Sequence, residues 1–170
     1  NFKTDYLPLV DYAKNNNCKF IATNVPRRYA SFVYYNGLDT LEFLSDEAKT
    51  FLPPLPILYD GTIGCYVEML EMSGGHGGDN LPKSQALKDA CMAHNISINL
   101  PENGIFLHYN GAFHSQNRDG IVWYLRQTNP NLKVLTIDAT EQDDISALDE
   151  ERVGVADFII TTPINLTKTH

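Results

Sequence analysis

The sequence predicts an α/β fold in which a mostly parallel sheet is flanked by helices, with a small all-helical subdomain inserted. Two observations predict it: short apolar runs alternate with helical patterns near both ends of the chain, and no strand pattern appears between about residues 38 and 100. Short apolar strands that alternate with helices favour a parallel sheet. We therefore predict an α/β core over residues 1–37 and 101–170 and a helical subdomain over residues 38–100.

The first part of the core is predicted as helix, strand and helix. Residues 5–16 place apolar side chains at helical spacing, and the short run CKFIATN (18–24) is typical of a buried strand. A second helix follows in VPRRYASFVYYNG (25–37), because Pro26 suits its first turn and Gly37 its end.

The predicted subdomain begins with a connector and continues as two helices. Residues 51–61 are rich in proline, which restricts both itself and the residue before it to extended backbone. Apolar side chains recur at helical spacing over residues 62–72 and again over residues 81–97. A glycine-rich loop, SGGHGGDN (73–80), lies between these two predicted helices.

The second part of the core again alternates strands with a helix. Apolar runs predict strands at 104–110, 132–138 and 156–163, and residues 120–127 predict a helix between the first two. The acidic stretch EQDDISALDEE (141–151) is typical of a solvated helix.

The composition fits one globular domain, with 170 residues, 43% hydrophobic side chains and a net charge of −8. This charge argues against nucleic acid as a partner, because binding phosphates needs clustered lysine and arginine. The cysteines are far apart and form no zinc or redox motif. No apolar run is long enough to span a membrane, and no signal peptide is present. Because the chain opens at Asn1 without Met, we expect an amino-terminally truncated or cleaved protein.

Two histidines lie at the carboxyl end of the first strand of the second part, in the stretch LHYNGAFHS (107–115). Ligands usually bind beyond the carboxyl ends of the strands in an open α/β sheet. His108 and His114 therefore have the chemistry and the position of a base or a metal ligand. The structural alternative is that His108 is a core histidine with a satisfied hydrogen bond and that Gly111 is a turn residue.

The glycine-rich loop carries His76 between two pairs of glycines, which let a backbone approach a flat ligand closely. Tyr66, Met69 and Met72 recur three residues apart on the helix before the loop, and Lys83 begins the helix after it. Tyrosine is a known ligand of haem iron, and two cationic side chains suit the haem propionates. The alternative is that Tyr66, Met69 and Met72 belong to the core and that His76 is a surface-loop residue.

Several motifs occur in one order, namely NVPRR, LPPLP, GGHGG, QALKDACMA and NGAFHS. This combination, spread over about residues 5–138, resembles the ChaN-type haem-binding lipoproteins of bacterial iron and haem uptake. The resemblance implies a large, mostly parallel sheet with a helical subdomain. It also implies that haem (iron protoporphyrin IX) binds at a homodimer interface, with a tyrosine of one protomer on the iron and a histidine and a lysine of the other on the propionates.

At the matching positions, the resemblance implies Tyr66 as the iron ligand and His76 and Lys83 as the propionate ligands, with Tyr59 as the nearest alternative to Tyr66. It further implies a protein of the bacterial cell envelope, either a membrane-anchored lipoprotein or periplasmic, that works with an outer-membrane haem receptor. The expected role is haem binding and transport rather than catalysis.

This family is similar to a wider superfamily of Tiki-type and erythromycin-esterase-like metal-dependent hydrolases. There a Gly-x-x-His element, which resembles Gly111-Ala112-Phe113-His114, works with an acidic Gly-Glu-x-His element near the amino end. The present chain begins after the place where that second element would stand, which would leave the sheet one or two strands short. The alternative function is therefore a metal-dependent or general-base hydrolase centred on His114.

Overall fold

The computed structural model describes residues 1–74 and 76–167, and most of the regular structure in that part of the chain is helical. The α-helices, in chain order, are α1 (Leu7–Asn15), α2 (Arg27–Asn36), α3 (Asp46–Lys49), α4 (Gly64–Met72), α5 (Asn80–Asn99) and α6 (Gly120–Thr128). Shorter turns of π- or 3-10 helix occupy Phe2–Tyr6, Leu38–Phe43, Ala112–His114, Gln116–Arg118 and Glu150–Arg152. The strands are β1 (Ile137–Gln142) and β2 (Phe158–Pro163). Among these elements, no helix combines the length and the apolar character that crossing a bilayer requires.

The structure confirms the helices that apolar spacing predicts. Helices α1, α4, α5 and α6 lie at the predicted positions. Helix α2 begins directly after Pro26 and ends before Gly37, whose φ of +85° is a conformation that favours glycine. Proline and glycine therefore mark both ends of α2, as their backbone preferences predict.

Helix α5 is the central element of the helical layer. Its 20 residues pack against α2, α4 and α6. Towards α2 the core contains Val33 and Leu87, which are fully buried, and towards α6 it contains Met92 and Ile121. Because α5 is buried on most of its sides, it lacks the single apolar stripe that is typical of a surface helix.

The sheet is smaller than the sequence predicts. Strands β1 and β2 pair in parallel, with Ile137 opposite Phe158 at one end and Gln142 opposite Pro163 at the other. Within the described ranges no further strand joins them. The protein is thus broadly α/β with a parallel strand pair, but the prediction of a mostly parallel sheet flanked by helices is not supported.

The predicted strands at 18–24 and 104–110 have no strand pairing. No main-chain hydrogen bond joins either segment to a strand in the part of the chain that the structure describes. Alternating apolar residues determine which side chains face a core, but a strand also needs a second backbone at hydrogen-bonding distance. The acidic stretch at 141–151 is not the predicted helix either, because it continues β1 and then ends in the single turn Glu150–Arg152.

The carboxylate of Asp157 connects the strand pair with the segment before α6. Asp157, directly before β2, accepts hydrogen bonds from the main-chain N–H and the hydroxyl of Thr136, at 2.7 and 2.9 Å. The guanidinium of Arg118 forms an ion pair with the same carboxylate. These contacts favour the ionised form, the main-chain N–H most of all, and they lower the pKa of Asp157 to about 2.

Candidate functional site

A buried carboxylate on α5 is the centre of a polar network inside the helical layer. Asp89 has no exposed surface. Its Oδ2 accepts a hydrogen bond of 2.9 Å from the hydroxyl of Tyr66 on α4, and its Oδ1 lies 2.5 Å from Nδ1 of His114. Gln85, one helical turn before Asp89, places its Nε2 2.8 Å from the same ring nitrogen. The sequence motifs QALKDACMA and NGAFHS therefore meet at one place.

The two contacts at His114 Nδ1 compete, because this nitrogen either donates or accepts a hydrogen bond. The shorter contact, with the Asp89 carboxylate, favours the tautomer in which Nδ1–H donates to Asp89. The other ring nitrogen, Nε2, is then the acceptor, and the Gln85 amide lies 3.3 Å from it. The side chain of His114 is 17% exposed, so the imidazole connects the buried carboxylate with the protein surface.

Burial governs the proton affinities in this network. It raises the pKa of Asp89, and the hydrogen bonds from His114 and Tyr66 only partly oppose that effect. Burial also raises the pKa of Tyr66 far above its usual range, with the nearby charge of Asp89 as the second cause. Tyr66 is therefore a neutral phenol at neutral pH, as its role as donor to Asp89 requires.

Helix α6 begins against this network at a position that needs glycine. Gly120 has a φ of +49°, and a Cβ there would lie 2.5 Å from the main-chain oxygen of His114 and 3.2 Å from Oδ2 of Asp89. The preceding Asp119 accepts a hydrogen bond of 2.9 Å from the main-chain N–H of Cys65 at the start of α4. The beginnings of α4 and α6 are thus fixed to each other beside the His114–Asp89 pair.

His108 is held by hydrogen bonds at both ring nitrogens. Its Nε2 lies 2.7 Å from the hydroxyl of Thr23, and its Nδ1 lies 3.0 Å from Oδ1 of Asn110. The amide of Asn110 also donates to Ser115 at 2.9 Å. Burial lowers the pKa of His108, while the contact with Asn110 acts in the opposite direction. Both ring nitrogens thus have hydrogen-bond partners, as the structural alternative expects, but His108 is half-buried and is not a core residue.

Tyr66 and Tyr59, the two candidate iron ligands, form a contacting aromatic pair with different access to solvent. Their ring centroids are 5.8 Å apart. Tyr66 is fully buried with its hydroxyl bonded to Asp89, whereas Tyr59 is half-buried. Burial is the main cause that raises the pKa of Tyr59 as well.

Tyr59 and Lys83 line the same surface cavity, which has a volume of about 350 Å³. The complete lining is Asn36, Gly37, Leu38, Asp39, Ile57, Tyr59, Asn80 and Lys83. The ammonium group of Lys83 lies 3.4 Å from Oδ1 of Asn80. The cavity thus brings together Lys83 and Tyr59, the alternative iron ligand, whereas the expected ligands Tyr66 and His76 are not part of its lining.

His76 is exposed on the loop between α4 and α5. The glycines on that loop have a structural reason: Gly74, Gly77 and Gly78 have φ values of +57°, +91° and +54°. A Cβ on Gly77 would also lie 2.9 Å from the hydroxyl of Tyr34 on α2. Gly75, the last glycine before His76, lies outside the described residues.

Sequence reasoning named His114 but missed its partners on α5. Gln85 and Asp89 are four residues apart, so they share one face of a helix whose neighbouring positions are mostly apolar. The sequence signal for this buried contact is the pair Gln85 and Asp89, which lie four residues apart within a mostly apolar segment. Within residues 1–74 and 76–167, no three His, Cys, Asp or Glu side chains gather into a group that could hold a metal ion.

Fold and site together define a helix-rich α/β protein that has a phenol and an ammonium group at a surface cavity and, separately, a buried carboxylate–imidazole pair. The family model described as haem-binding uptake, Tiki superfamily, ChaN matches residues 1–125. The chain therefore belongs to this haem-binding uptake family, and the resemblance seen in its motifs is confirmed. Comparisons with curated proteins and with solved structures found no match.

Proposed function

We propose that the protein binds haem (iron protoporphyrin IX) in bacterial haem or iron uptake, through a tyrosine at a dimer interface. The observation that carries this proposal is membership of the haem-binding uptake family over residues 1–125. The cavity that joins Tyr59 with Lys83 adds support from this chain's own geometry. A phenolate is a suitable oxygen ligand for ferric haem, and an ammonium group suits a propionate.

One tyrosine of the Tyr59–Tyr66 pair is proposed to coordinate the iron. Tyr66 is the position that the family resemblance implies, but its hydroxyl is buried and bonded to Asp89, so α4 must move before iron reaches it. Tyr59 needs no such movement, because it already lines the cavity. The geometry of the single chain therefore favours Tyr59, and Tyr66 is the ligand if haem binding opens α4.

His76 and Lys83 are proposed to hold the propionates. Lys83 lies in the cavity, and its contact is with the neutral amide of Asn80, so its charge is available to an incoming carboxylate. The exposed position of His76 on a glycine-rich loop lets its imidazole reach a haem that is bound by another protomer. The proposed homodimer would thus form around haem, and it would be stabilised by haem through mass action.

The cellular setting is a proposal that rests on the family alone. A haem-uptake protein of this family would work in the bacterial cell envelope, as a periplasmic protein or a membrane-anchored lipoprotein, and would exchange haem with an outer-membrane receptor. Co-purification of haem with the protein from envelope fractions would support this setting.

The ligand assignment is tested by haemin titration of tyrosine variants. We expect Tyr59→Phe to weaken haemin binding by about tenfold or more and to remove the phenolate features of the ferric spectrum. Tyr12→Phe, which changes an exposed tyrosine on α1, is the matched control and is expected to bind like the parent. If Tyr66→Phe alone removes the phenolate features, Tyr66 is the ligand and α4 opens.

A second candidate function is hydrolysis of an ester or amide with His114 as general base. The observation that favours it is the 2.5 Å contact between His114 and the buried Asp89, because a buried carboxylate orients an imidazole in many hydrolytic sites. This function predicts metal-dependent or base-catalysed turnover that His114→Ala abolishes and Asp89→Asn strongly reduces. A parent protein without turnover on a panel of esters and amides, with and without divalent metal, would exclude it.

A further inference from the structure

Thr23, His108 and Asn110 form a chain of hydrogen bonds that neither of the functions proposed above uses. The hydroxyl of Thr23 lies 2.7 Å from Nε2 of His108, and Nδ1 of His108 lies 3.0 Å from Oδ1 of Asn110. A hydroxyl, an imidazole and an oxygen acceptor in this order are the parts of a nucleophile, its base and the group that orients the base. Such a chain can act only if its protons are in the right positions.

The amide of Asn110 fixes those proton positions. Its Nδ2 donates to the main-chain oxygen of Gly111 and to the hydroxyl of Ser115, both at 2.9 Å. Its Oδ1 therefore faces His108, and because a carbonyl oxygen only accepts hydrogen bonds, Nδ1 of His108 carries the proton. Nε2 of the neutral ring is then the acceptor, and the hydroxyl of Thr23 donates to it. The proton of Thr23 thus already points at the nitrogen that would remove it.

The surroundings of His108 suit a base. Burial lowers its pKa, against the opposite effect of Asn110, so the ring is neutral at neutral pH. The side chain faces the protein, whereas its neighbours Leu107 and Tyr109 are 66% and 65% exposed. His108 is nevertheless only half-buried. A neutral imidazole with part of its surface open to solvent can exchange a proton with a small molecule.

Thr23 is held by a second contact and is followed by unused donors. Asn95 on α5 donates to the main-chain oxygen of Thr23 at 2.9 Å, which fixes the backbone at this position. In the part of the chain that the structure describes, no hydrogen bond uses the main-chain N–H of Asn24 or Val25. The N–H of the residue after the nucleophile is a common donor to the oxyanion in acyl transfer. Asn24 therefore has such a donor available.

We propose that Thr23 is the nucleophile of a covalent hydrolytic centre, with His108 as its base and Asn110 as the residue that positions the base. The substrates are esters of small acyl groups, because Thr23 is only 8% exposed and a bulky acyl group would not reach its hydroxyl. This centre requires neither haem nor His114, so it stands or falls separately from both functions proposed above.

The reaction has two steps. In the first, Oγ1 of Thr23 attacks the ester carbonyl carbon while its proton passes to Nε2 of His108, and the alcohol then leaves with that proton. An acyl-threonine ester remains. In the second, water gives a proton to His108 and attacks the acyl group, and the proton returns to Oγ1 as the carboxylic acid leaves. The net reaction converts an ester and water into a carboxylic acid and an alcohol.

The test uses p-nitrophenyl acetate as the probe, with samples quenched in acid during turnover. We expect a burst of about one p-nitrophenol per chain, and an acetyl group that peptide mass mapping places on Thr23. Thr23→Ala and His108→Gln are expected to slow acetylation by about 100-fold or more, whereas Thr23→Ser keeps the hydroxyl and retains it. The matched control is His94→Gln, which changes a half-buried histidine on α5 and is expected to react like the parent.

A parent protein whose Thr23 stays unmodified would overturn the proposal. This holds even if the ester is turned over, because hydrolysis with His114 as general base needs no acyl-threonine. An equal slowing in His94→Gln would also contradict the assignment.

Asn110 is exposed, so its variants test the positioning role without disturbing the core. We expect Asn110→Ala to slow acetylation by about tenfold or more, and Asn110→Asp, which keeps an oxygen for Nδ1–H, to recover most of the rate. Equal rates for these two variants would show that Asn110 does not position His108. Should His108→Gln not fold, this pair of variants still tests the hydrogen-bonded chain.

Discussion

At the scale of single residues, Asp89 is the group with the most demanding environment. A carboxylate without exposed surface is costly unless donors replace the lost water, and here Tyr66 and His114 provide them. The network is therefore strongly coupled, and the loss of either donor leaves a buried acceptor without its partner.

Removal of the Tyr66 hydroxyl tests this coupling. We expect Tyr66→Phe to lower the free energy of unfolding by about 1–3 kcal/mol, because Asp89 loses a hydrogen bond that water cannot replace. Tyr59→Phe removes a hydroxyl from the adjacent, half-buried ring and is expected to cost less than about 0.5 kcal/mol. Chemical denaturation of both variants measures the difference, and equal effects would contradict the role given to Asp89.

The sequence could predict some of these residues but not their grouping. His114 was named from its place after a predicted strand, and Tyr66 from its place before the glycine-rich loop. Asp89 is missed because a single carboxylate on a helix normally faces solvent. Its spacing from Gln85 in an apolar segment is a local signal of burial, but it does not identify α4 and the Ala112–His114 turn as the segments that cover it. Such a contact depends on the packing of distant segments.

At the scale of elements, the start of α6 is fixed by the glycine that opens it. A Cβ on Gly120 would lie 2.5 Å from the main chain of His114, and its φ of +49° disfavours a side chain. We expect Gly120→Ala to lower the free energy of unfolding by more than about 1 kcal/mol and to displace His114 from Asp89.

The control for this prediction is Gly111→Ala, at the start of the Gly-x-x-His segment that ends at His114. Gly111 has a φ of −67°, and its position leaves open space for a Cβ. We expect the stability of this variant to stay within about 1 kcal/mol of the parent. Thermal melting curves of the two alanine variants provide the comparison, and a greater loss in Gly111→Ala would contradict it.

The stability of the contacts next to the β1–β2 pair depends on pH through the carboxylate of Asp157. Its folded-state pKa of about 2 lies below the ordinary value of 3.8, so its ionised form contributes stability above about pH 4. That contribution is lost as the pH falls through the folded-state value. We expect the difference in melting temperature between the parent and Asp157→Asn to be largest above about pH 4 and to shrink towards pH 2.

The control for the pH series is Asp11→Asn, an exposed carboxylate on α1. This variant is expected to follow the parent at every pH. If the difference in melting temperature between the parent and Asp157→Asn stays constant down to about pH 2, the contacts of Asp157 with Thr136 and Arg118 do not depend on its charge.

Helices were easier to predict than strands in this chain, for a physical reason. A helix forms its hydrogen bonds within one segment, so the apolar spacing of α4 or α6 is almost sufficient to define it. A strand depends on a second segment, and the pattern in residues 18–24 or 104–110 contains no information about whether that partner is present. The inward and outward faces of 104–110 nevertheless follow the alternation.

At the scale of the whole molecule, family membership supports haem binding, whereas the net charge of −8 opposes the approach of an anionic ligand. The match over residues 1–125 covers the helical layer, the Tyr59–Lys83 cavity and the His114–Asp89 pair. In the proposed haem site, Lys83 would supply a cationic group for a propionate within a chain of net charge −8, at a cavity that Asp39 also lines.

Haem binding itself is tested most directly by one titration of the parent protein with haemin, followed by absorbance and by sedimentation. We predict a saturable ferric spectrum of the high-spin, phenolate-ligated type, together with species larger than those of the haem-free protein at the same concentration. A protein that stays colourless and unchanged in size with excess haemin would contradict the proposed function.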